Sequence, residues 1–149
     1  DKDISVLKEL VDKVNNDIFS ICLDIGHANC YSNQSLEEII KLLGDKIGHL
    51  HLNNNYGKKD SHNGFENGNI NVKQVLKLVD GYCDKPSMTI EVTDFNEAIE
   101  SVEFILEYNN SRYSEECRKI FFYIFNILVK AIVEEIKIIF VLLFFHILS

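Results

Sequence analysis

No Cys-x-x-Cys pair occurs among the four cysteines, Cys22, Cys30, Cys83 and Cys117, which lie in or beside apolar segments. That spacing argues against a disulfide framework and for reduced thiols, core or near-core, in an intracellular, cytoplasmic protein. Clusters of lysine and arginine are also missing. The formal charge is −8 and the pI near 5.1, so sequence-independent nucleic-acid binding, which needs basic patches for the phosphates, is disfavoured and cation binding suited. No apolar run approaches the roughly 20 residues that cross a bilayer; the uninterrupted run at 138–145 is too short. Proline occurs once, at Pro86, just before a predicted strand where no ladder donor is required. Because the chain opens on Asp1 rather than methionine, the lack of a leader excludes nothing.

What is present suits a globular fold: 149 residues, 46% apolar and 26% charged, enough for one sizeable core. Ile4, Val6, Leu7, Leu10, Val11 and Val14 follow helical spacing. The run IFSICLDIG at 18–26 reads as a strand buried on both faces. Ser35 stands where an N-cap belongs, with Glu37 and Glu38 in the first turn of a helix that ends at Gly44. A strand at 47–52, a long polar loop, a helix at 72–79, a strand at 87–92 and a helix at 96–108 follow. Helix-length connections between apolar strands specify right-handed βαβ units, and so an α/β fold.

In such folds the reacting groups collect at the C-terminal ends of the strands. The first strand ends in LDIGH, with Asp24 and His27; the second in HLHLN, where His49 and His51 share a face; the third in TIEV, with Glu91. The polar loop adds Asp60 and His62. Carboxylates and neutral imidazoles suit a divalent cation such as Mn, Co, Zn or Mg, with no thiolate expected at this rim. Each residue alone has a simpler reading: Asp24 as a helix cap, Glu91 in an ion pair with a lysine, His49 as a hydrogen-bonded interior residue. Convergence of all of them is what points to a metal. Asn53, Asn54, Asn55, Gly57, Gly64 and Gly68 fit either plain loop composition or a loop whose backbone closely approaches a substrate.

The segments LDIGHAN, GHLHLNNN, DSHNGFENGNIN and TIEV together resemble the C-terminal half of the xylose isomerase-like TIM barrels. This superfamily holds sugar phosphate isomerases and epimerases and endonuclease IV. The resemblance implies a partial (β/α)8 TIM barrel over residues 1–112, its strands being six, seven and eight, followed by an extension at 113–149. It implies that Asp24, His51 and Glu91 bind a divalent metal, that Glu91 shuttles a proton and that His27 contacts substrate. Asp60 and His62, with His27, match a second metal site. The implied activity is a metal-dependent sugar or sugar phosphate isomerase or epimerase; the alternatives are a zinc-dependent, abasic-site phosphodiesterase and a non-catalytic remnant. Relatives often carry aspartate where this chain has Asn54. A further glutamate expected from strand five, and strands one to four, have no counterpart here, and a complete barrel takes about 250 residues. A fragment is therefore expected, weakly active or inactive alone, which needs the missing half or self-association to cover its open edges.

Beyond Tyr113 the composition changes to RKIFFYIFNILVKAIVEEIKIIFVLLFFHILS. Lys119, Tyr123, Asn126, Lys130, Glu134 and Lys137 recur at three or four residues and predict an apolar helical tail with one narrow polar stripe. The stripe lacks the basic richness of a membrane-surface helix, which favours a partner helix or an unselected tail over membrane contact.

Overall fold

A computed structural model describes residues 4–16 and 18–110. The chain divides into two units, Asp1–Leu106 and Glu107–Ser149. Of the second, only the end of one helix falls among the described residues, so the expected helical tail at 113–149 lies outside them. Among the described residues no helix is long and apolar enough to cross a membrane.

Helices separate the strands as expected, with two in place of one between the first and second strands: α1 (Ser5–Val14), β1 (Ile21–Asp24), α2 (Ile25–Tyr31), α3 (Leu36–Leu43), β2 (Ile47–Leu52), α4 (Val72–Tyr82), β3 (Ser87–Ile90) and α5 (Phe95–Asn110). The strands form one parallel sheet in the order β1-β2-β3. Ser35 starts α3 through a reciprocal capping box: its hydroxyl accepts from the Glu38 N–H, and the Glu38 carboxylate accepts from the Ser35 N–H at 2.7 Å. Asn71 starts α4 by accepting from the Gln74 N–H at 3.0 Å. Helical spacing then puts Ile39, Ile40 and Leu43 of α3 and Val72, Val75, Leu76 and Val79 of α4 on buried faces, and the two helices pack together. With Leu23, Ile25, Ile47, Leu50 and Leu52 they make the core.

The first strand departs from expectation in two ways. It is not buried on both faces: Ile21 and Leu23 point into the core, whereas Cys22 is exposed and Asp24 half-buried. Period-two alternation puts Cys22 and Asp24 on the sheet face that also carries Ser87 and Thr89, both exposed. It is also short, because Asp24 caps a helix, α2, that the apolar run conceals; its carboxylate accepts from the His27 N–H at 2.9 Å. None of the three cysteines among the described residues is fully buried either, and Cys117 lies outside those residues. Cys22 is exposed, and Cys30 and Cys83 are half-buried, all three as free thiols.

The segment between β2 and α4 has neither helix nor strand, yet Asn53, Asn54 and Asn55 are fully buried. Asn54 is its hub. Its amide nitrogen donates to the carbonyls of Phe65 (2.7 Å) and Ile70 (3.1 Å), and its oxygen accepts from the N–H groups of Asn55 (2.9 Å) and Ile70 (3.0 Å). Asn55 ties the segment to α2 by donating to the Gly26 carbonyl at 3.0 Å. Side-chain amides here do what a β-ladder does elsewhere, satisfying backbone groups that burial would otherwise strand. Gly68 follows from this: a Cβ there would overlap the Asn54 side chain and meet the Asn55 nitrogen at 2.7 Å. The close approach that demands glycine is therefore to the chain's own amides.

Candidate metal centre

Parallel pairing sets side chains of the open sheet face in rows. Cys22, His49 and Ser87 are successive register partners across the three strands, and Asp24, His51 and Thr89 form the next row. Glu91 lies just beyond β3, its N–H bonded to the Leu52 carbonyl at 2.9 Å, which continues the ladder. One donor atom from each of Asp24, His51 and Glu91 lies within 4.8 Å of the others. His51 Nδ1 stands 3.1 Å from a Glu91 oxygen and 3.8 Å from an Asp24 oxygen. Among the described residues, no lysine or arginine pairs with Glu91.

His27, Asp60 and His62 form a second such trio. Asp60 Oδ2 is 2.8 Å from His27 Nε2 and 3.0 Å from His62 Nε2, and His27 Nδ1 is 3.0 Å from Asp24 Oδ2. The two trios thus meet through His27 and Asp24. His62 has a φ of 49°, in the left-handed region. It is pinned there from both ends: its carbonyl accepts from the Thr93 N–H at 3.0 Å, and its Nδ1 lies 3.0 Å from the Glu91 carbonyl.

The donor set fits a metal on hydrogen-bond accounting alone. A carbonyl only accepts, so His62 Nδ1 carries the proton, and in the neutral ring the Nε2 lone pair faces the Asp60 carboxylate. His27 presents both ring nitrogens to carboxylates and in its neutral form can donate to only one. Asp60 Oδ1 is buried with no partner at all. Ionised oxygens of Asp24 and Glu91 within 4.8 Å of each other repel by at least roughly 3.5 kcal/mol at an effective dielectric near 20. A proton or a metal cation resolves each of these conflicts. Burial, the largest single influence on His62, opposes its protonation, but the Glu91 carbonyl and the charges of Asp60 and Glu91 outweigh it and hold its pKa above the ordinary 6.5.

A profile of the xylose isomerase-like TIM barrel family matches residues 2–108. The chain belongs to that family. Two relatives are proteins of Methanocaldococcus jannaschii: MJ1311, 32% identical over 103 residues (68% of this chain, 35% of the relative), and MJ1614, 29% identical over 102 residues (66% and 39%). Among solved structures, a D-tagatose 3-epimerase-like protein shares 32% identity with a TM-score of 0.51, covering 69% of this chain and 40% of the other. The chain therefore spans well under half the length of these relatives. Its small parallel sheet and the helices between the strands fit part of a xylose isomerase-like barrel.

All six residues singled out from the sequence, Asp24, His27, His51, Asp60, His62 and Glu91, gather at one rim. Asp24 is cap and rim group at once, one oxygen serving each purpose. His49 is hydrogen-bonded as anticipated, with Nδ1 2.6 Å from Ser87 Oγ and Nε2 3.1 Å from Thr89 Oγ1, but it is not interior: it lies half-buried on the open sheet face beside exposed partners. Two residues were missed. Asn53, fully buried, donates to Asp24 Oδ1 at 3.3 Å and supports it from below. Cys22 shares the open face, its sulfur within 4.8 Å of a nitrogen of His49 and of His51, so a thiol does stand beside the rim. Burial first, then the charges of Asp24 and Glu91, push that thiol's pKa above its ordinary 9.0. Its position two residues before Asp24 in a strand was the available signal.

Proposed function

We propose that the chain carries the metal-binding part of a divalent-metal-dependent sugar or sugar phosphate isomerase or epimerase, its three strands standing as six, seven and eight of a (β/α)8 barrel. The observation that carries this reading is the meeting of Asp24, His51 and Glu91, from three separate strand ends, within 4.8 Å. Those three would hold the cation, with His27, Asp60 and His62 as ligands of a second site. A divalent metal in such a place acts as a Lewis acid that polarises carbonyl and hydroxyl oxygens and acidifies the neighbouring C–H. Glu91, less buried than Asp24, takes up and returns that carbon-bound proton. His27, more than half exposed, would orient a substrate hydroxyl with whichever ring nitrogen it releases from Asp24 or Asp60. Two-sided proton transfer needs a second base opposite Glu91, and in the resembling enzymes a glutamate of strand five supplies it. By itself the chain therefore turns over weakly or not at all.

The test is elemental analysis of the purified chain after loading with Mn, Co, Zn or Mg, beside ketose isomerisation and epimerisation assays. Loss of the bound Mn or Mg in Asp24→Ala and His51→Ala is expected. Unchanged metal content in both variants, or robust turnover by a monomer, would overturn the reading. The second trio, His27, Asp60 and His62, favours one competitor, a zinc-dependent abasic-site phosphodiesterase with a multinuclear centre. The charge of −8 counts against a nucleic-acid substrate, and nicking of abasic DNA without sugar isomerisation would select that competitor.

A further inference from the structure

One row below Asp24, His51 and Glu91, the open sheet face carries a trio of different chemistry. Cys22 and His49 are register partners on adjacent strands, so their side chains leave the sheet side by side. His51 stands two residues beyond His49 on the same face, and the two rings meet edge to face with centroids 5.3 Å apart. One donor atom from each of Cys22, His49 and His51 falls within 4.8 Å of the other two, and Cys22 is exposed. We propose that Cys22, His49 and His51 form a binding site for a thiophilic cation such as Zn2+ or Cd2+, stacked beneath the carboxylate-lined centre and sharing His51 with it.

The chemistry of the two trios differs in the way that sorts metals. Two carboxylates and an imidazole suit Mg2+ or Mn2+, whereas one thiolate and two imidazoles suit zinc, cadmium or copper(I). Donor atoms around a tetrahedral metal, with bonds of about 2.0–2.3 Å, sit roughly 3.3–3.8 Å apart. Closing the trio from within 4.8 Å therefore needs side-chain rotation of about an ångström, with no change of backbone. Ser87 and Thr89 add the outer support such sites use. Each hydroxyl reaches a different nitrogen of His49, so when one nitrogen turns to the metal the other keeps a hydroxyl that fixes the tautomer. On binding, the Cys22 S–H proton leaves to solvent as the metal–sulfur bond forms, one proton per site. Three protein donors leave a fourth position open.

Sharing His51 has a functional consequence, which rests on the reading of the upper centre given above. A soft cation drawn into the lower trio competes for an imidazole that the upper centre uses, so Zn2+ or Cd2+ displaces Mn2+ at concentrations where Mg2+ does not.

The experiment is a cadmium titration of the full chain, followed by the ultraviolet absorption of cadmium–thiolate charge transfer. A saturable band of one cadmium per chain is expected. Cys22→Ser abolishes it, His49→Gln weakens apparent cadmium affinity by at least about tenfold, and Cys30→Ser and Cys83→Ser leave it unchanged. Asp24→Asn and Glu91→Gln, which disable only the upper centre, also leave it in place, so failure of the upper reading is distinguishable from failure of this one. Circular dichroism checks that Cys22→Ser folds. The His49→Gln arm reports on the site independently, because that variant keeps all four thiols. Absence of a band in the parent chain, or a band that survives both Cys22→Ser and His49→Gln, overturns the proposal. A band with unaltered Mn2+ retention removes the competition and keeps the site.

Discussion

Replacing Asn54 by alanine tests whether side-chain amides hold the rim. The residue is 1% exposed and makes four hydrogen bonds to backbone groups at 2.7–3.1 Å. At about 1 kcal/mol net for each bond, the sum is near 4 kcal/mol, and partial relaxation toward water brings the expected loss to roughly 2–4 kcal/mol. A domain whose stability is about 5–15 kcal/mol cannot absorb much more. At 4–8 °C per kcal/mol for a domain of about 100 residues, the melting midpoint falls by more than about 8 °C. Asn54→Asp separates the two halves of the network. It keeps the acceptor for the Asn55 and Ile70 N–H groups but turns a carboxylate toward the Phe65 and Ile70 carbonyls, where only its protonated form can donate. Its folded-state pKa is therefore raised, the folded state binds the extra proton, and stability falls as pH rises through that value and recovers on acidification. Urea unfolding of the metal-free chain at several pH values measures both effects. An Asn54→Ala chain within about 0.5 kcal/mol of the parent, the range of an ordinary surface substitution, refutes the reasoning.

Gly26→Ala drives a methyl into the Asn53 side chain, whose Cγ would be 2.7 Å away, and so displaces the amide that supports Asp24; overpacking of this kind costs about 1–3 kcal/mol and should weaken metal retention in parallel, as equilibrium dialysis would show. Ser35→Ala removes a helix cap worth about 1 kcal/mol, measurable by urea unfolding. The same change bears on pH: Ser35 hydrogen bonds hold the Glu38 carboxyl below its ordinary 4.5, so its contribution is present above that value and fades as pH falls through the lowered one. Acid titration of the Ser35→Ala chain should be correspondingly flatter, and an unchanged profile counts against the capping box. Among the described residues β1 and β3 each pair on one side only, so light scattering should find self-association, and a monomer throughout the micromolar range contradicts that expectation.

Much of this was legible in the residues, because most elements rest on local signals. Ser35 with Glu38 announces α3, the period of Ile39, Ile40 and Leu43 sets its buried face, and β2 runs over the very residues, 47–52, that its apolar pattern marks. What escaped depends on register or on partners distant in sequence. Apolar content hid the change from strand to helix at Ile25, since Ile and Cys serve either state and only the Asp24 cap decides. Cys22 looked like core because composition does not say which face of a strand is covered. The resemblance marks Asn54 as the loss of a charge; in the fold it is an amide whose donors reach two carbonyls, 11 and 16 residues away. The rim itself was readable, since strand ends are where parallel sheets place their chemistry.

Asp24 begins a helix with one carboxylate oxygen and faces His27 with the other. Alanine there loses both tasks, and glutamate moves the head group one methylene too far for the first. Asparagine, the replacement of the same shape, keeps the turn, since it caps as well as aspartate, while it gives up the charge. A lineage that ceased to need the cation would thus have one quiet exit at this position, and the amino acid found there in a descendant reports whether it was taken.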